Sequence, residues 1–313
     1  AITRGPVEFC PLRLHAWILL SAPGERFYMR DHSYLFMGLD GLSHAHGTAY
    51  FRNGHLAASV IAAYYLCHEN NLDEETQDLV KSRIDNELRE EVIFRPAPDE
   101  TPDTTLLEQL LDTLSRGIGD LREVGHNIIF GAAALKAFRD RPEAITPSRV
   151  EGICRLIDDF TTTQNVTLEG DDGIPGIENE GALIEFIFSE YLRSVSLYAG
   201  YGQGWAGHLL TIGHAVIELS RLGYPDIAAS AHNAYRMYIM TMRRGPKVTD
   251  RPIPDKELRS YSPLEREYWE RKDSISSGIG HALKYPYSFY NLLNSLYNPD
   301  LKNRCLEKSY LIF

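Results

Sequence analysis

Four stretches of this chain share one hydrophobic pattern, a Gly-His pair followed by a run nearly free of charge. They read GHLAASVIAAYYL from Gly54, GHNIIFGAAALKAF from Gly125, GHLLTIGHAVIELSRL from Gly207 and GHALKYPYSFYNLLNSL from Gly280. An apolar run of helical length with so little charge near its start predicts a helix surrounded by other helices. Each run is followed by a turn and a second helical stretch. Asp73 fits an N-cap after Asn70-Asn71-Leu72, and Pro147 fits the first helical position after Arg141-Pro142. Gly223 fits the residue just past a helix end, with Pro225-Asp226 leading into IAASAHNAYRMYIM. Asn298-Pro299-Asp300 turns into LKNRCLEKSYLIF.

A further helix-like stretch precedes each Gly-His pair: ERFYMRDHSYLFMGLDGL, TLLEQLLDTLSRGIGD, EGALIEFIFSEYLRSVSLYAGYGQGW and SPLEREYWERKDSISSGIG. The repeating unit is therefore about three helices, roughly over 25–90, 104–161, 180–240 and 262–313. Strict up-down alternation of three helices would send successive Gly-His ends to opposite faces. The joints FRPAPDETPD, TTQNVTLEGDDGIPGIEN and RRGPKVTDRPIPD remove that difficulty. Ten extended residues span about 33 Å, whereas a helix of about 14 residues is only about 21 Å long. The expected fold is all-α, a single domain over 1–313 of repeated helical units forming an α/α toroid or barrel-like array. An irregular helix bundle is the alternative.

Composition narrows the partners. The 313 residues are 43% apolar and carry a formal net charge of −11, with lysine and arginine scattered, which argues against nucleic acid. No apolar run reaches the length of a membrane span, so a membrane is not expected either. Leu14 to Ala22 reads as core rather than a signal peptide. Cys10, Cys67, Cys154 and Cys305 are widely spaced and form no CxxC pair, which points to reduced thiols and a cytoplasmic location. Nothing in the sequence sets an oligomeric state.

The candidate chemistry lies in His55, His126, His208 and His281, which equivalent helix starts would bring to one end. A helix N-terminus and burial both disfavour the imidazolium, leaving the neutral ring that accepts a proton or binds a metal. The alternative is a structural helix-start device, with each His bonded to a neighbouring carbonyl. His44 and His46 lie two apart in a Gly-flanked segment and are candidate metal ligands, or else solvated loop residues. His214 falls on another helix face than His208 and reads as core. No HExxH or Cys/His zinc spacing occurs, so the cofactor is undefined, with a divalent metal admitted but not indicated. The acidic loop LEGDDGIPGIENEG offers Asp172 and Glu178 as substrate-binding or acid–base groups if it folds over the histidines.

The run Gly202-Gln203-Gly204-Trp205-Ala206-Gly207-His208-Leu209-Leu210 resembles α/α-toroid carbohydrate enzymes such as the unsaturated glycosyl hydrolases. Gly-His at a helix start is similar to the sugar 2-epimerases of the same fold. The resemblance covers about ten residues, most of the families' pattern is missing, and the chain is shorter than the epimerases. It implies the architecture more than the substrate.

The expected function is an enzyme acting on a small organic or sugar-like molecule in a histidine-lined cavity. His55, His126, His208 and His281 would be its acid–base groups, and Tyr201 and Trp205 its substrate walls. A metal-dependent oxidoreductase or oxygenase using the same histidines is one alternative. A non-catalytic helical scaffold for a protein or peptide is the other.

Overall fold

The computed structural model describes residues 32–162, 166–168, 172–258, 261–275 and 278–313. Cys10, the Leu14–Ala22 stretch, Glu169 and Asp171 lie outside the described residues. Among the described residues twelve α-helices run in chain order: α1 Ser33–His44, α2 Tyr50–Glu69, α3 Glu74–Glu87, α4 Leu107–Ser115, α5 His126–Asp140 and α6 Pro147–Asp159. Then come α7 Glu180–Leu197, α8 Gly204–Arg221, α9 Pro225–Met242, α10 Arg266–Arg271, α11 His281–Asn294 and α12 Pro299–Lys308. Only two isolated bridges, Arg122 with Thr162 and Tyr201 with Ile253, have β character among the described residues. No helix there is long and apolar enough to cross a membrane.

The punctuation of these helices follows local chemistry. The Asp73 carboxylate accepts from the Thr76 amide at the start of α3, and Asn298 accepts from Leu301 at the start of α12. Pro147 and Pro225 occupy first-turn positions where no N–H is needed. After α8, Gly223 is left-handed at φ 91°, with Gly223 N–H on the Ser220 carbonyl and Tyr224 N–H on that of Leu219. These two bonds are the Schellman pattern that satisfies the last carbonyls of a helix.

Each helix that carries a Gly-His pair touches two others that do. Helix α2 packs against α5 and α11, and α8 packs against the same two. Around them α1 lies on α2 and α6, α7 and α9 lie on α8, α4 on α6, and α12 on α7. Inward-facing Tyr65, Phe130, Phe138, Leu210 and Phe289 are fully buried. Each such side chain contributes about 1.5–3 kcal/mol by leaving water.

Close approach at the crossings depends on glycine. A Cβ on Gly54 would stand 2.5 Å from the Phe130 ring, and one on Gly207 would run into the Tyr285 ring. One expectation needs correcting here. Gly-His begins α5 and α11, but α2 starts at Tyr50 and α8 at Gly204, so His55 and His208 sit a turn or more inside their helices. The reason is local: the residues before them are helix-compatible, whereas those before His126 and His281 are left-handed.

Candidate functional site

The four histidines meet. Ring centroids are 4.3 Å apart for His55–His126, 5.0 Å for His126–His208, 5.1 Å for His208–His281 and 4.9 Å for His281–His55. The diagonal pair His55–His208 is at 6.3 Å. The first turns of α5 and α11 and the second turns of α2 and α8 therefore converge on one point.

The backbone before two of these histidines is held in an unusual shape. Val124 (φ 58°) and Gly125 (φ 84°) precede His126, and Ile279 (φ 48°) and Gly280 (φ 77°) precede His281. A β-branched residue in the left-handed region is a rare and strained choice. Gly125 also lies against Ile212, and Gly280 against Ser59, leaving no space for a Cβ. The strain is thus kept at two equivalent places directly before the imidazoles.

Hydrogen bonds fix which ring nitrogen faces inward. Nδ1 of His126 bonds the Glu123 carbonyl, and Nδ1 of His208 bonds the Gly204 carbonyl at 2.8 Å. A carbonyl only accepts, so each Nδ1 carries the proton and each Nε2 keeps a lone pair. Those two Nε2 atoms stand 3.2 Å apart. Tyr285 adds its hydroxyl beside His208 Nδ1 at 3.1 Å and stacks on His281 at 4.5 Å. The Nε2 atoms of His55 and His281 are buried and have no hydrogen-bond partner.

Lys284, one helical turn after His281, reaches across to His55. Its Nζ touches His55 Nδ1 and donates to the carbonyls of His55 and Ile279, each at 3.3 Å. Burial holds this amine well below the usual lysine range. It likewise lowers all four imidazoles: His208 to about 4, and His55, His126 and His281 strongly. A proton on Lys284 pushes each of the four in the same direction. At neutral pH the cluster is a set of uncharged nitrogen bases.

Two spaces adjoin it. A cleft of about 500 Å³ is lined by His208, His281, Tyr285, Lys256, Lys272 and Phe313, among others, and reaches the cluster from outside. That volume falls in the range of small-molecule sites. A narrow cavity of about 40 Å³ lies among the same four helices, bounded by Lys284 and Thr211 and by Lys136, His214, Glu218 and Tyr287. There Lys136 is 2.6 Å from both Glu69 and Glu218 and 2.8 Å from the Tyr287 hydroxyl.

One nitrogen each from His55, His126 and His208 lies within 4.8 Å of the others, close enough to share a metal ion. The other sequence candidates sit elsewhere. His44 is the last residue of α1 and bonds the Ile93 carbonyl at 3.0 Å, while His46 is exposed. Tyr201 is 39% exposed and bridges to Ile253. Trp205 packs between Tyr198 and Tyr238. Asp172 pairs with Arg236 of α9 at 2.6 Å, and Glu178 is exposed in the same loop. None of these six lines the cleft.

Sequence reasoning passed over Lys284, Lys136 and Glu218 and assigned His214 to packing. Spacing held a signal for two of them. Lys284 follows His281 by three residues and Glu218 follows His214 by four, which places each pair on one helix face. No protein family, curated protein or solved structure matches this chain.

Proposed function

We propose that this chain is an enzyme acting on a small polar organic molecule, with the histidine quartet supplying its acid–base groups. The observation that carries this reading is the closed set of four neighbouring imidazoles at the foot of the cleft. His281 and His208 line that cleft and would exchange protons with the substrate, and His55 and His126 stand behind them. Neutral imidazole is the form a general base needs, and burial provides it. Lys256, Lys272 and Asp273 on the cleft wall present both charges, which suits a polar, hydroxyl-rich substrate such as a sugar-like molecule.

The same proposal extends to architecture. Contacts of α2 with α5 and α11, and of α8 with both, support an α/α toroid with the Gly-His helices innermost. One helix before and one after each of them supports four units of three. The local likeness around Gly202–Leu210 to toroid carbohydrate enzymes agrees with this. Buried free thiols at Cys67, Cys154 and Cys305 suit a reducing compartment such as the cytoplasm.

The test is a search for turnover across sugars, sugar acids and hydroxy acids followed by NMR, then the same assay on His208→Gln and His281→Gln. Each replacement is expected to lower kcat by at least about 100-fold, the lower end of acid–base contributions, with helix content retained. Unchanged turnover in single variants of all four histidines overturns the reading.

A further inference from the structure

We infer that His55, His126 and His208 form a metal site for a divalent first-row ion of the zinc type, with an open fourth position turned toward His281 and the cleft. The inference uses the same histidine cluster as the proposed function but does not need its acid–base role. It begins from a mismatch. Two imidazoles that both spend their Nδ1 proton on a carbonyl aim two lone pairs at each other across 3.2 Å. Lone pairs at that distance repel unless a cation lies between them.

A metal ion fits the His126–His208 spacing. With metal–nitrogen bonds of about 2.0–2.1 Å and a tetrahedral angle, two ligand nitrogens stand about 3.3–3.4 Å apart, close to the spacing seen. His55 supplies a third nitrogen within 4.8 Å of the other two. Its buried Nε2 has no hydrogen-bond partner: Lys284, as a neutral amine, donates to the carbonyls of His55 and Ile279 and accepts the His55 Nδ1 proton, which leaves the Nε2 lone pair free. The carbonyls of Glu123 and Gly204 and the Lys284 amine then form the supporting shell that orients metal-bound imidazoles.

The donor set narrows the ion. Among the described residues no Asp, Glu or Cys joins the three histidines. A facial iron site needs a carboxylate, and a structural zinc site would be closed by cysteine, so three neutral nitrogens with one open place fit an open zinc-type site. The N-termini of α5 and α11 oppose a bare dication. They are compensated when the fourth position holds an anion, which makes a small carboxylate or similar oxyanion the expected co-ligand. His281, whose ring lies 4.9 Å from His55 and 5.1 Å from His208, stands beside that position.

The experiment strips the intact protein with a chelator and titrates it with Co²⁺, reading visible absorption, and with Zn²⁺, reading heat. One ion per chain is expected, with the intense visible bands of four-coordinate Co²⁺ that change when a small carboxylate is added. His126→Ala and His208→Ala should weaken binding by at least about 10–100-fold, the loss typical of removing even a supporting partner, while His44→Ala leaves it intact. Less than one ion per chain, or the weak spectrum of six-coordinate Co²⁺, in the unaltered protein overturns the site whatever the variants do. Undiminished binding in folded His126→Ala and His208→Ala overturns it as well. A protein that takes no ion yet loses turnover on histidine replacement keeps the acid–base reading and removes only the metal.

Discussion

Nε2 of His126 and Nε2 of His208 face each other at 3.2 Å although 82 residues separate them in the chain. Each ring is set by a carbonyl only three or four residues upstream, Glu123 for one and Gly204 for the other. Local bonds thus choose the tautomer, and helix packing brings the chosen nitrogens together. Both rings are therefore expected as Nδ1–H tautomers near neutral pH. Two-bond ¹⁵N–¹H correlation spectra of the imidazoles check this directly. A protonated Nε2 on either ring would contradict the hydrogen bonding.

The glycine of each Gly-His pair is required for one of two reasons, and alanine replacement separates them. At Gly54 and Gly207 the backbone is helical, so alanine gains up to about 1 kcal/mol of helix propensity. It loses about 1–3 kcal/mol through overpacking against Phe130 or Tyr285. At Gly125 and Gly280 the left-handed backbone adds about 1–2 kcal/mol of strain on top of the collision with Ile212 or Ser59. Urea denaturation should rank Gly125→Ala and Gly280→Ala as more damaging than Gly54→Ala and Gly207→Ala. Equal losses in all four would show that backbone shape plays no part.

Lys136 is the cation of a buried group rather than a surface residue. It is 5% exposed, lies between the Glu69 and Glu218 carboxylates and stands 4.5 Å over the Tyr65 ring. Lys136→Met leaves Glu218 with Arg221 at 3.5 Å as its remaining cation. Removing one partner of a buried pair costs about 3–5 kcal/mol, most of it the stranded charge. Adding Glu218→Gln should recover a large share of that loss. A single variant within about 1 kcal/mol of the unaltered protein would mean that Glu218 is solvated after all.

How much of this was legible beforehand depends on the range of each interaction. The all-helical character and the Asp73, Pro147, Gly223 and Asn298 boundaries rest on contacts within one turn of chain, and the sequence displays those. The meeting of His55, His126, His208 and His281 was readable because the same pair recurs at equivalent places. Tyr201, Trp205, Asp172 and Glu178 lie off the cleft for reasons the sequence does not carry. Asp172 meets Arg236, 64 residues away, and Trp205 is taken up by Tyr198 and Tyr238. Lys284 was hidden for a related reason. Its spacing from His281 marks a helix face, but its contact with His55, 229 residues distant, is not written in the sequence.

His214 gives a pH dependence that one substitution isolates. From its own helix it faces Glu218 and Arg221, from α5 Lys136, and from α11 Ser288 and Tyr287. Burial, opposed by Glu218 and helped by Lys136 and Arg221, brings it down from 6.5 to about 4. Between those values the unfolded chain binds a proton that the folded chain does not, so stability is complete above about 6.5 and is lost as pH falls to about 4. At 1.36 kcal/mol per unit this one residue accounts for about 3 kcal/mol at most. His214→Gln removes the term, so its stability difference from the unaltered protein should shift steadily across that window and then level off. Denaturation midpoints measured at several pH values follow it. A difference that stays flat throughout would show that His214 keeps its proton in the folded chain.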